Sequence, residues 1–384
     1  MLKVGQGALS PPFMVMDVIA AANVRQASLP PSAPKVLRME AGQPATGAPL
    51  GANEAVAKAL RDGAAMGYTE ASGDRGLRAR IALHYQEWYG ITVSPERIVV
   101  TTGASGAFPL AFLAAFDRGD RVALACPYYP PYVNILRSLG LDPVLLPTAA
   151  QSRFQPTLAM LKALDPPPAG VLLASPSNPA GTMLNNVELT AIAAWCAKNG
   201  VRLISDEIYH GLTYGISPTS AAQFDGAIVI NSFSKYFSMT GWRIGWMVLP
   251  QDLVRPVDSL AGNFFISAPH ISQVAALAAF DCHEELRGNV DRYARNREIL
   301  LAKLPQAGFS HLAAADGGFY IFADISDRTQ DSVAFCARML TEISISACPG
   351  VDFDPVRGRN FLRMSYCGST ADMEEAAMRL INFV

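Results

Sequence analysis

From Arg97 onward, short, mostly apolar runs rich in β-branched residues alternate with longer stretches whose apolar residues recur every three or four positions. The short runs cover 98–102, 122–126, 171–174, 201–205 and 227–230. That alternation predicts a mainly parallel sheet with helices on both faces. Polar or turn-forming clusters follow the runs, at 103–106, 127–130, 175–182, 206–209 and 232–246. In an open sheet of this kind the strand ends converge on one crevice, where ligands bind. Beyond Pro269 the pattern changes. Residues 271–304 read as one long helix, and two further strands, 319–322 and 361–364, are flanked by helices, which predicts a second, smaller α+β unit. The first 45 residues or so are rich in proline and alanine (Pro30, Pro31, Pro34) and predict an extended arm. No internal repeat is visible.

Composition narrows the partners more than the fold. A chain of 384 residues suits one large and one small domain, here 46–280 and 281–384, with 1–45 an N-terminal arm and part of the small domain. Half of the residues are hydrophobic and only 17% are charged, which fits a well-buried α/β protein. A net charge of −2 without a dense basic block argues against nucleic acid and acidic membranes, so the expected ligands are small. The six cysteines form no C-x-x-C pair, so no metal site is expected and the thiols are expected reduced. The N-terminus lacks the apolar core of a signal peptide and no run is long enough to span a bilayer, so the chain is expected to be cytoplasmic.

The segment 232–246 concentrates the chemistry. Lys235 lies just past the 227–230 strand among hydroxyls (Ser232, Ser234, Ser238) and aromatics, with Arg243 eight residues on. An amine in apolar surroundings near a cation loses its proton readily and becomes a nucleophile able to form a Schiff base with an aldehyde. Gly103, Ala104 and Ser105 follow a strand and open a helical run, so their free backbone N–H groups form an anion site suited to phosphate. Asp206 ends the 201–205 strand, where a buried carboxylate calls for a cationic partner.

In these residues the chain resembles the fold type I pyridoxal-phosphate enzymes, specifically the class I/II aminotransferases, over about 42–363. The resemblance implies a large domain with a mainly parallel seven-stranded sheet and a smaller α+β domain. It implies pyridoxal 5'-phosphate as cofactor, bound through Lys235, with phosphate contacts from Gly103, Ala104, Ser105, Ser232, Ser234 and Arg243. Asp206 would meet the ring nitrogen, Tyr209 and Asn178 the phenolic oxygen, and Tyr129 would stack on the ring. Catalytic roles fall to Lys235, Asp206 and Tyr209. Arg363, Asn178 and the Gly42 turn would receive an amino acid's carboxylate. Tyr68 would reach the phosphate of a neighbouring subunit, which implies a homodimer with shared active sites.

The implied reaction moves an amino group from an L-amino acid to a 2-oxo acid by a ping-pong mechanism. A lyase of the same fold, eliminating a group from the β- or γ-carbon, would share nearly all these residues and stands as the alternative. A regulatory module of this fold lacks support, since no helix-turn-helix precedes residue 40, and Tyr129 speaks against an acyltransferase, which usually has histidine there. Tyr128 and Tyr132 read as packing. The pocket for the substrate side chain is not assigned: Arg25, Arg38 and Arg292 are the candidate cations, and Phe13, Phe264, Phe265, Tyr320 and Phe353 the candidate apolar lining.

Overall fold

The structure, a computed structural model, describes residues 2–383. Its strands are β1 (Leu37–Arg38), β2 (Ile98–Thr101), β3 (Arg121–Cys126), β4 (Asp142–Pro147), β5 (Gly170–Ala174), β6 (Arg202–Asp206), β7 (Ile228–Ser232), β8 (Gly245–Val248), β9 (His311–Leu312), β10 (Tyr320–Asp324), β11 (Ile345–Ser346), β12 (Cys348–Pro349) and β13 (Phe361–Ser365). Seven of them form the large sheet in the order β2-β8-β7-β6-β5-β3-β4. Only β8 runs antiparallel to its neighbours, β2 and β7. Ser232 of β7 pairs with Gly245 of β8, so the twelve residues between them leave and re-enter the sheet at one edge, and Lys235 and Arg243 arrive at the same end.

The central stretches of the inner strands are apolar because both faces are covered. Side chains alternate between faces, so Val122, Leu172, Ile204, Ile228 and Ile230 join one core, and Ala123, Val171, Leu203 and Val229 the other. Against the first core lie α4 (Ala104–Ala115) and α5 (Pro130–Ser138); the second is shared with α2 (Leu50–Arg61) and α3 (Arg75–Tyr89), the helices that precede them in the chain. The smaller part contains the antiparallel sheet β12-β13-β10-β9, and β1 joins it to the N-terminal region by parallel pairing with β11.

Two expectations change. Residues 271–304 are two helices, His270–Ala279 and His283–Lys303, rather than one. The bend falls where Phe280, fully buried, packs on Phe233 and Phe237 with the Arg80 guanidinium over its ring. It lets the first helix lie on α2 and α3 while the second packs on the C-terminal helix Thr370–Ile381. The expected extended arm contains instead a fifteen-residue helix, α1 (Met14–Ser28). Prolines bracket that helix at 11–12 and 30–31 without entering it, so they punctuate the segment rather than prevent helix. Among the described residues no helix is long and apolar enough to cross a membrane.

Candidate active site

The strand ends of β5, β6 and β7, the start of α4, the first turn of α5, β10, β13 and α1 surround a cleft of about 500 Å³. This volume suits a small organic ligand. Lys235 lies on its lining, with its Nζ donating to the Gly42 carbonyl at 2.7 Å. Burial lowers its amine to a pKa of about 8, and the Arg363 and Arg243 charges act in the same direction.

Beside it, β6 delivers Asp206 to the cleft, 3% exposed. Its Oδ1 accepts the Ile208 N–H at 3.0 Å and its Oδ2 accepts a short hydrogen bond from the Tyr132 hydroxyl. Burial raises its carboxyl to about 6, while those two donors hold it down. Tyr132 was expected to be packing. Pro130 and Pro131 start α5 and set Tyr132 in its first turn, from which the phenol reaches the β6 end. Tyr129 lines the cleft and meets Tyr132 edge-on at 5.3 Å.

The anion end is built from α4 and the β7–β8 connection. Gly103 caps α4 with φ +73°, and a Cβ there would lie 2.8 Å from Arg243 Nη2. Glycine is therefore required both by the backbone and by the arginine's approach. Arg243, itself exposed, donates through Nη1 to the Thr240 carbonyl at 2.7 Å, and its Nη2 lies 3.4 Å from Ser105 Oγ. Ala104, Ser105 and Ser234 line the cleft. Ser232 is buried behind them, its Oγ 2.9 Å from Ser234 Oγ and 3.1 Å from the Ile244 carbonyl.

At the opposite end, β13 carries Arg363 between β10 and β12. The guanidinium is buried, with Nη1 donating to Asn178 Oδ1 at 2.9 Å and Nη2 to the Glu40 carbonyl at 2.5 Å. Its Nε has no partner among the described residues. Tyr320 lies beneath it, ring centroid 4.4 Å away, and shares a 2.9 Å hydrogen bond with Tyr209. A Cβ on Gly42 would sit 1.7 Å from the Tyr320 hydroxyl, so no larger residue fits that turn. The arrangement offers one end for a phosphate, a buried carboxylate at the floor, an amine in the middle and a fork for a carboxylate, which suits pyridoxal phosphate with an amino acid beside it.

Of the expected residues only Tyr68 stands apart, 82% exposed in the single chain. Arg25 donates to the Thr341 carbonyl, Arg38 pairs with Glu40, and Arg292 contacts Asn289, so none of the three candidate cations lines the cleft. Of the candidate rings, Phe13 and Tyr320 do, Phe353 packs on Arg363, and Phe264 is exposed. The wall farthest from expectation is α1, which with its N-cap residue supplies Phe13, Val15, Met16 and Ile19.

Comparison with known proteins agrees with this geometry. The chain is 49% identical over 375 residues to valine–pyruvate aminotransferase of Mycobacterium tuberculosis, covering 96% of this chain and 95% of that one. It is 30% identical over 387 residues to asparagine–oxo-acid transaminase of Streptococcus mutans, covering 97% of each. Among solved structures, an aminotransferase from Mycobacterium tuberculosis superposes with a TM-score of 0.96 at 48% identity, over 100% of this chain and 99% of that one. Aspartate aminotransferase from Thermus thermophilus with maleate superposes with a TM-score of 0.91 at 28% identity, over 100% of each. The family described as aminotransferase class I and II matches residues 34–380, and the chain therefore belongs to that family of pyridoxal-phosphate-dependent enzymes, which move amino groups from amino acids to 2-oxo acids.

Proposed function

We propose that Lys235 is the residue that holds pyridoxal phosphate and moves the substrate proton, with an apolar amino acid as donor. The observation that carries this is the Lys235 amine: it is half-buried on the lining of the cleft between the Arg243 and Arg363 ends, donates to the Gly42 carbonyl, and has a pKa lowered to about 8. The phosphate would rest on Gly103, Ala104, Ser105, Ser232, Ser234 and Arg243, Tyr129 would stack on the ring and Asp206 would meet its nitrogen. When bound, the cofactor withdraws electrons from the donor's α-carbon. Asp206 keeps its charge beside the ring nitrogen, aided by the Tyr132 and Ile208 donors. Tyr209 orients the phenolic oxygen with Asn178. Arg363 grips the α-carboxylate in the forked geometry that suits it. Lys235 Nζ, with a proton affinity near neutrality, takes the proton from the α-carbon and later returns one.

The donor's side chain would face the apolar residues of α1, and the Mycobacterium tuberculosis relative is named for valine and pyruvate. Valine with pyruvate as acceptor is accordingly the first pair to test. Purified protein loaded with the cofactor should convert spectroscopically in one stoichiometric turnover when valine is added without any oxo acid. Absence of any spectral change with apolar amino acids would overturn the donor assignment.

The working unit is proposed to be a homodimer acting in the cytoplasm, where the six unpaired thiols stay reduced. His270 Nδ1 lies 2.9 Å from the Gly67 carbonyl and Gln273 Nε2 donates to Thr69 Oγ1, so the loop with Tyr68 lies against the helix His270–Ala279, which follows the segment carrying Phe264 and Ile266. All three side chains are more than half exposed, an apolar surface suited to a second copy. Arg243 is exposed too, so a partner's Tyr68 has access to the phosphate end. Sedimentation should give twice 41.1 kDa at micromolar concentration, and a monomer there would refute the shared site.

A further inference from the structure

The wall made by α1 has a support that the reaction itself does not use. The residue before α1, Phe13, has no side chain able to cap the helix, so the first N–H groups need an outside acceptor. Asp352 provides it: its Oδ1 accepts the Met14 N–H at 3.2 Å, and the Val15 N–H also acts on the same carboxylate. Its other oxygen, Oδ2, is buried without a partner among the described residues. Asp352 closes the turn Gly350–Asp352 directly after β12. β12 carries Cys348, whose Sγ lies 3.3 Å from Arg363 Nη2, and the next residue, Phe353, packs on the Arg363 guanidinium at 4.7 Å. One short loop thus touches the carboxylate grip at both its ends and the selecting wall in between.

From this juxtaposition we infer that Asp352 is a specificity-determining positioning residue: by capping α1 it fixes Phe13, Val15, Met16 and Ile19 at a set distance from Arg363, so that the cleft selects apolar side chains. The inference rests on the aminotransferase reading with an apolar donor given above. Support for a tertiary cap comes from how little else holds the N-terminal half of α1, since the hydrogen bonds of Asn23, Arg25 and Gln26 to Arg38, Thr341 and Val36 lie toward its other end. Only Val15 and Ala22 of its fifteen residues are buried. A short apolar cluster around Val15, Phe322, Cys348 and Phe353 is its main anchor. An element with so few buried contacts opens more readily than the sheet beside it. A selecting wall on such an element needs a directional tie, and the carboxylate on two N–H groups supplies one.

The test compares Asp352→Ala and Asp352→Asn with the parent holoenzyme. Loss of a helix cap corresponds to roughly a fivefold change in a local equilibrium. Asp352→Ala should therefore raise KM for valine about fivefold with kcat within about twofold, and should lower the ratio of valine to aspartate kcat/KM by a similar factor. In the same variant, hydrogen exchange of the α1 amides should quicken on the order of fivefold while the α4 amides stay unchanged. Asp352→Asn, which keeps an acceptor oxygen, should restore most of both changes. If Asp352→Ala leaves valine KM, the donor ratio and α1 exchange within twofold of the parent, the inference is wrong. A fall in kcat with no change in α1 exchange would also overturn it, because the residue would then act on the chemistry. A parent that turns over no apolar donor fails the reading beneath the inference, and α1 exchange in the variants still tests the cap itself.

Discussion

The two walls of the cleft are built on opposite principles. On the strand-end wall each polar side chain has a defined partner: Asp206 has Tyr132 and Ile208, Lys235 has Gly42, Arg363 has Asn178 and Glu40. Its elements are central strands buried on both faces, so their ends are held by two cores. The α1 wall is apolar, held directionally at its start by Asp352, and carried by a helix that is mostly exposed. On the proposed roles, atoms that must meet a transition state stand on the most constrained backbone, while an appended helix need only present a surface. Chemistry and selection can therefore vary separately.

That separation can be broken at graded points. The largest effect is expected at Lys235→Ala, which should lower transamination by about 10⁴-fold or more for every donor alike, followed by steady-state oxo acid formation. Residual activity above about a hundredth of the parent would remove Lys235 from the centre of the strand-end wall. Tyr132→Phe comes next. Loss of one buried donor to a charged carboxylate corresponds to roughly 1.5–3 kcal/mol, or about tenfold or more in cofactor dissociation. Because the Tyr132 hydrogen bond holds the Asp206 carboxyl down near 6, its removal raises that pKa. The variant's carboxylate is then lost at a higher pH, and the affinity deficit should widen as pH falls from 8 to 6. A deficit that does not change with pH would show that Tyr132 only fills space.

The smallest effect belongs to α1. Phe13 meets Tyr129 edge-on at 5.8 Å, and such ring pairs contribute about 0.5–1.5 kcal/mol. Phe13→Ala should lower kcat/KM for apolar donors by no more than about tenfold and should reorder donors by side-chain size while leaving kcat nearly unchanged. A loss shared equally by small and large donors would mean that the two walls are not separable.

The same contrast explains what the sequence disclosed. The strand-end wall was legible because its residues are held close to strand ends and turns whose chemistry is local: Gly103 before a helix, Asp206 at the last position of β6, Lys235 three residues past β7. Tyr132 was missed although Pro130 and Pro131 mark a helix start, since which way a first-turn side chain points depends on where that helix lies in space. Tyr320 was a candidate for the apolar lining, and its hydroxyl was found at the Gly42 turn only through the pairing of β10 with β13. For α1 there was almost no signal. Its residues show weak periodicity, flanking prolines argue for extended chain, and the carboxylate that caps its start comes from more than 300 residues away. The separation of residues 271–304 into two helices was hidden for a similar reason, because the bend is set by the pocket that Phe280 fills.

The short stretch from Glu40 to Gly42 lends one carbonyl to Arg363 and another to Lys235. Two cations therefore lean on the same few backbone atoms, and a carboxylate arriving at one of them shifts a support of the other. For anyone reshaping the substrate range this makes 40–42 a poor place to begin, since no alteration there stays local. The helix on the far side of the cleft, capped at its start by one carboxylate and given no part in the proposed proton chemistry, is the part that can be redrawn without disturbing the engine.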